Sequence, residues 1–383
     1  MGQLKADSLK ALRLRRSAKW RTFPKDVLPL PIAEMDFPIA KPIKATLIDM
    51  IERSDLGYGG IVPELPKAFA DFALRNWGWH VDQSQVRLAS DVGAAGVEVI
   101  RVLTQPGDKV VLNSPVYLNF FNWVREAKCE IVDVPLVHQD GEWTLNFEGL
   151  ELAFAQGAKV YLLCNPHNPV GTVHTKDELE RIADLAHQYG VTVISDEIHA
   201  PLTYVENKFN PYISVSQNAA QTGICITAAS KSWNLAGLKC AQIISSDSAM
   251  FERLNGLPIS VPWRSSILGA WASIAAYNES EKWLDSVLET LDENRYYLAD
   301  LLSEYLPKAK YVIPESTYLA WVDLSDYQIE NIGEYILEHA RVALSYGYEF
   351  GPDSAGFVRI NFATSKSILK EAIGKISRVL ELD

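Results

Sequence analysis

The stretch KVYLLCNPHNPVGTVHTKDELERIADLAHQYGVTVISDE, residues 159–197, decides the fold. Its opening run, KVYLLCN, is apolar and stops at Asn-Pro. The loop that follows, PHNPVGT, carries two prolines and a glycine, residues that end a strand. Thr175 and Glu178 have capping-box spacing, Thr-x-x-Glu. Leu179, Ile182, Ala183 and Ala186 then recur on one helical face, and Gly190 supplies the C-terminal stop. VTVISDE (191–197) is β-branched and apolar, a second strand. Strand, helix and strand at this spacing form a βαβ unit with parallel strands and a right-handed crossover.

Working outward, KVVLNSPVY (109–117), CEIVDVPL (129–136), GICITAAS (223–230) and CAQIISS (240–246) read as further strands. The fold class is therefore α/β, a large domain with a mostly parallel sheet flanked by helices. From about Trp283 the pattern changes. A helical stretch (281–302), YVIPESTYLAWVDL (311–324), a helix near 331–341 and GFVRINFA (356–363) suit a smaller α+β domain, which the N-terminal arm joins. The expected division is 50–280 for the large domain, with 1–49 and 281–383 forming the smaller one. In parallel sheets ligands sit beyond the carboxyl ends of the strands. The loop after Cys164, Asp196 and Lys231 would all emerge at that edge.

Composition sets limits on function. Hydrophobic residues make up 48% and charged residues 22%, as in a soluble globular protein. A net charge of −12 argues against a nucleic-acid binder, but local basic sites for small anions remain compatible with it. Cys129, Cys164, Cys225 and Cys240 form no CxxC pair, and no zinc-type spacing with histidine occurs, so no metal is expected. The N-terminus lacks the apolar core of a signal peptide, and Ala6 stands where a myristoylation motif wants Ser or Thr. The longest apolar run, Ile267 to Tyr277, contains Ser273 and is too short to span a bilayer. A cytoplasmic location with no membrane contact is the expectation.

Asn168, Asp196 and Lys231 place an amide, a carboxylate and an amine on one edge. Pyridoxal phosphate chemistry needs this set: a lysine for the aldehyde, a carboxylate to keep the pyridine nitrogen protonated, and a neutral donor beside the ring oxygen. The motifs MDFP (35–38), GYGG (57–60), QPGDKVVLNSPVY (105–117), CNPHNPVGTV (164–173), SDEIHAPL (195–202), SKSWNLAGLKCAQI (230–243), STYLAW (316–321) and FVRINFA (357–363) lie in order along nearly the whole chain. In them the chain resembles the fold-type I, aspartate-aminotransferase-like family of pyridoxal phosphate enzymes. Within it the chain is most similar to the cystathionine β-lyase branch of MalY/PatB type.

The resemblance implies roles. Lys231 matches the Schiff-base lysine, Asp196 the partner of the pyridine nitrogen, and Asn168 the donor to the ring hydroxyl oxygen. His199 stands where many relatives carry a tyrosine near that oxygen. Tyr117 matches the aromatic that stacks on the ring, and Arg359 the arginine for the substrate α-carboxylate. Tyr58 matches a tyrosine that reaches the phosphate of a neighbouring subunit, which implies a homodimer with shared active sites. Ser230, Val92, Gly93 and Ala94 would complete the phosphate cup at a helix entrance. Lys239 departs from the pattern, because many transaminases carry arginine there. Asp91 is acidic near the phosphate, so it is expected to point away or to cap the helix. Trp233, Trp263 and Arg264 are open between pocket lining and packing, and His167 is assigned no catalytic role.

The implied activity is α,β-elimination from L-cystathionine or a related cysteine S-conjugate, giving a thiol, pyruvate and ammonia. Physically the motifs also permit an aminotransferase, which shares every step up to the Cα carbanion. A regulatory protein that binds a transcription factor is the alternative from a different class.

Overall fold

The computed structural model describes residues 4–139 and 141–381. The Met1-Gly2 start and the two ends of the expected smaller-domain segments lie outside the described residues. The large sheet has seven strands: β1 (Val86–Ala89), β2 (Lys109–Leu112), β3 (Glu130–Asp133), β4 (Val160–Cys164), β5 (Thr192–Asp196), β6 (Gly223–Thr227) and β7 (Ala241–Ile244). Their spatial order is β1-β7-β6-β5-β4-β2-β3. Strands β3, β2, β4, β5 and β6 pair in parallel, and only β7 is reversed, antiparallel to both of its neighbours.

The apolar strand runs have a simple cause. In β4, Val160, Leu162 and Cys164 face one core while Tyr161 and Leu163 face the other. The same alternation divides Ile224 and Ile226 from Cys225 in β6. Both faces of β4, β5 and β6 are covered, so these strands do not alternate with exposed polar positions, as expected for buried parallel strands. Helix α1 (Val92–Leu103) contributes Val92, Ala95, Val99 and Ile100 to one face. Helix α2 (Lys176–Tyr189) contributes Leu179, Ile182, Ala183 and Ala186 to the other. The capping box on α2 forms as expected, with Thr175 and Glu178 bonded reciprocally and Gly190 in the left-handed region.

The second layer is a four-stranded antiparallel sheet of β8 (Lys310–Tyr311), β9 (Leu319–Asp323), β10 (Ser345–Tyr346) and β11 (Phe357–Asn361), in the order β8-β9-β11-β10. Two long helices, α3 (Glu281–Tyr305) and α4 (Lys366–Leu380), pack together beside it. The N-terminal arm joins this part of the molecule, where Leu28–Pro29 pairs in parallel with Val342–Ala343. Among the described residues, no helix is long and apolar enough to cross a membrane.

One glycine ties the two sheets together next to the loop that carries Asn168. Gly171 has φ +78°, and its carbonyl accepts the N–H groups of Glu315 and Ser316 at 3.0 Å. A Cβ at this position would stand 2.3 Å from Cβ of Pro314. Gly171→Ala is therefore expected to destabilise the protein by about 2–3 kcal/mol, from left-handed backbone and overpacking together. A urea-unfolding midpoint equal to the parent's would contradict this.

Candidate active site

The carboxyl ends of β4, β5 and β6 open onto a cavity of about 670 Å³. Asn168, Asp196, His199, Ser230, Lys231, Tyr117 and Arg359 all line it. The first five follow directly from the strand ends of the large sheet. Arg359 comes from β11 of the smaller sheet, so the cavity lies between the two layers.

Asp196 is 5% exposed and forms no ion pair among the described residues. One oxygen accepts the Ile198 N–H at 3.1 Å. Burial pushes its carboxyl up to about 7, against the opposing pull of the Ile198 N–H and Lys231. Burial, followed by the Arg359 guanidinium, brings the Lys231 amine down to about 8, while Glu34 and Asp196 pull it the other way. His199 is held well below its ordinary value, first by burial and then by Lys231 and Arg359, so it is neutral. Burial likewise lowers Arg359, to about 10, and it stays charged at neutral pH.

Arg359 is held by three acceptors. Its Nη1 donates to Asn168 Oδ1 at 3.0 Å, and its Nη2 donates to the Pro31 carbonyl at 2.9 Å and to Ser345 Oγ at 3.1 Å. The bond to Asn168 fixes that amide, since its oxygen is occupied and its NH₂ remains to donate. Burial raises the Tyr117 hydroxyl above its ordinary value, and Asn119 donates to it at 2.6 Å.

At the other end of the cavity lies the entrance of α1. Asp91 is its N-cap, with Oδ1 accepting the Ala94 N–H at 2.8 Å. Its Oδ2 pairs with Lys239 Nζ at 3.0 Å. The acid therefore caps the helix, as expected, and also holds the lysine that departs from the family pattern. Ala94 does not line the cavity and its N–H is taken, whereas Val92 and Gly93 do line it. In a first helical turn their N–H groups lack intrahelical partners.

Other expected residues lie elsewhere. Tyr58 is 88% exposed, outside the cavity, with its ring edge-on to Trp263 at 6.3 Å. Neither Trp263 nor Arg264 lines the cavity, and Trp233 is fully buried against Phe72 and Tyr277. His167 is buried, with its ring bonded to the Pro115 carbonyl at 2.9 Å.

The segment from Pro31 to Asp36 forms a strap across the site that sequence reasoning missed. The Ala33 carbonyl accepts Lys231 Nζ at 3.1 Å and the Tyr318 hydroxyl at 2.9 Å. Asn234, three residues after Lys231, clamps Met35 with two bonds of 2.9 Å, to its N–H and to its carbonyl. The cavity contact is a main-chain carbonyl, which leaves no side-chain signature. The only sequence signals were the quoted MDFP and the asparagine inside SKSWN.

These residues fit pyridoxal phosphate. A buried carboxylate without a cation matches a protonated ring nitrogen, the partly buried Lys231 amine matches an aldehyde, and the α1 entrance with Lys239 matches a phosphate. Among the described residues, the buried Nδ1 of His199 and Nε of Arg359 have no hydrogen-bond partner, as expected where a ligand makes up the remaining contacts.

Comparison with known proteins is consistent with this geometry. A sequence profile described as aminotransferase class I and II matches residues 25–376. The chain is similar to the cystathionine β-lyase of Corynebacterium glutamicum, at 37% identity over 97% of this chain and 99% of that protein. It is also similar to cystathionine β-lyase PatB of Bacillus subtilis, at 30% identity over 93% of each. The solved structure of cystalysin from Treponema denticola, which contains a pyridoxal 5′-phosphate cofactor, superposes with a TM-score of 0.93 at 29% identity, covering 99% of this chain and 98% of that one.

Proposed function

The chain belongs to the aminotransferase class I and II family, in its fold-type I cystathionine β-lyase branch, and on that footing we propose that it cleaves the C–S bond of L-cystathionine or a related cysteine S-conjugate. The products are a thiol, pyruvate and ammonia, and the cofactor is pyridoxal 5′-phosphate. The observation that carries this reading is the convergence of Lys231, Asp196, Asn168 and Arg359 on one cavity. Among the described residues, Arg359 is the one arginine in its lining, which supports a substrate with a single carboxylate at that end rather than a dicarboxylate.

When bound, the cofactor supplies an aldehyde for the substrate amine and a ring that withdraws electrons from Cα. Arg359, pre-set by Asn168, Ser345 and Pro31, takes the α-carboxylate by its fixed charge and its remaining N–H donors, Nε among them. Lys231, with its amine at about 8, has a neutral fraction near neutral pH and removes the Cα proton. The Ala33 carbonyl keeps that amine oriented when it is free. Asp196 would hold a proton on the ring nitrogen, the amide NH₂ of Asn168 would donate to the ring oxygen, and Tyr117 would pack against the ring. Lys231 then delivers its proton to the departing sulfur.

A homodimer with Tyr58 reaching the neighbour's phosphate is part of this proposal. Tyr58 at 88% exposure, Ile61 at 93% and Ile259 at 81% support an apolar surface awaiting a second copy.

Holoenzyme supplied with L-cystathionine and no keto acid should release pyruvate and homocysteine in equal amounts. Strict dependence on added keto acid would instead identify an aminotransferase. Arg359→Lys keeps the charge but loses the planar guanidinium and the bonds that orient it, so kcat/KM should fall about 10²-fold, mostly through KM. An unchanged KM would remove Arg359 from carboxylate binding.

A further inference from the structure

Residues 13–25 read RLRRSAKWRTFPK, with six cationic side chains and no acid, in a chain of net charge −12. They wrap a second concavity of about 490 Å³, lined by Arg13, Arg15, Arg16, Lys19, Arg21 and Lys25 and walled in part by Phe23. Two of the six are neutralised. Lys19 is fully buried and paired with Asp36 at 3.0 Å, and Arg15 is paired with Asp7 at 2.8 Å. Arg13, Arg16, Arg21 and Lys25 are exposed and form no ion pair among the described residues. The next acid in sequence, Asp26, is occupied by Arg341 at 2.7 Å. Four unpaired cations around one hollow concentrate positive potential, and an anion seated there relieves their repulsion.

This hollow is next to the catalytic cavity. Phe23 lines both, and Thr22, which follows Arg21, lines the catalytic side. One aromatic side chain thus borders both spaces. Glu349 lines the catalytic cavity, so an anionic group short enough to stop there meets a like charge.

We propose that the basic hollow is a distal subsite for an anionic group at the far end of the sulfur substituent. The favoured substrates are then cysteine S-conjugates whose thiol fragment ends in a carboxylate, sulfonate or phosphate. The proposal rests on the β-lyase reading. Arg359 holds the amino-acid end, the apolar face of Phe23 accommodates a methylene chain, and Arg21 and Lys25 receive the terminal charge. Arginine suits this role because its fork matches oxyanions in two bonds.

The test compares three substrates on the holoenzyme at low salt: L-cystathionine, S-(carboxybutyl)-L-cysteine and the primary amide of the latter's side-chain carboxyl. The carboxylate should exceed the amide in kcat/KM by about tenfold. In the double variant Arg21→Gln, Lys25→Gln the preference should fall to near unity, with turnover of the amide unchanged. Equal kcat/KM for carboxylate and amide in the parent, or a preference that survives the double variant, overturns the subsite while cystathionine turnover keeps the lyase reading intact. Absence of pyruvate from all three substrates overturns the lyase reading and this proposal with it.

Discussion

Lys231→Ala should lower kcat for thiol release by at least about 10³-fold, the upper range for removal of a positioned general base. The expectation follows from the surroundings of the amine. It is partly buried, brought down to about 8 and held by the Ala33 carbonyl at 3.1 Å, with no other amine equally placed among the described residues. Lys239 also lines the cavity, but it is engaged by Asp91 at 3.0 Å at the phosphate end. The variant should also lose the visible absorption band of bound cofactor while keeping its circular dichroism. Pyruvate release within tenfold of the parent would remove Lys231 from the chemistry.

Asp196→Asn should have opposite effects on activity and on stability. In the cofactor-free protein the Asp196 carboxyl is raised from its model-peptide value of 3.8 to about 7 by burial. The folded state then binds more protons than the unfolded state between about pH 4 and 7, so stability falls as pH rises through that window. Above pH 7 the ionised, buried carboxylate imposes its full penalty. Asparagine removes it, so the cofactor-free variant should be more stable than the cofactor-free parent by about 1–4 kcal/mol at pH 8. The advantage should shrink as pH is lowered from 7 toward 4. With cofactor, the order reverses: the variant binds it more weakly and loses most of its activity. A stability difference that does not vary with pH would show that Asp196 is not an unpaired buried charge.

Much of this site was legible because three of its groups follow apolar runs. Asn168 and Lys231 stand just beyond β4 and β6, Asp196 ends β5, and strands buried on both faces announce themselves as largely hydrophobic sequence. The capping box of α2 was equally readable, being a local pattern. What stayed hidden depends on distant pairs or on the main chain. The partner of Lys239 is Asp91, 148 residues away, and neither residue type signals the other. The strap acts on Lys231 through the Ala33 carbonyl, which every residue type presents alike. Trp233, two residues after Lys231, was open between pocket lining and packing; the turn after the strand end carries it into the core against Phe72.

The same strap bears on how the chain is made. Arg359 donates to the Pro31 carbonyl, 328 residues earlier, and Asn361 donates to the carbonyls of Ile32 and Glu34. At translation rates of about 5–20 residues per second, that separation is a wait of roughly 15–65 s. Throughout it, a growing chain already holds Asn168, Asp196 and eventually Lys231 with the Asn234 clamp on Met35, yet lacks the Arg359 and Asn361 ends of the strap's mooring. The carboxylate-binding arginine and the carbonyls that orient it thus meet only when almost the last strand emerges from the ribosome.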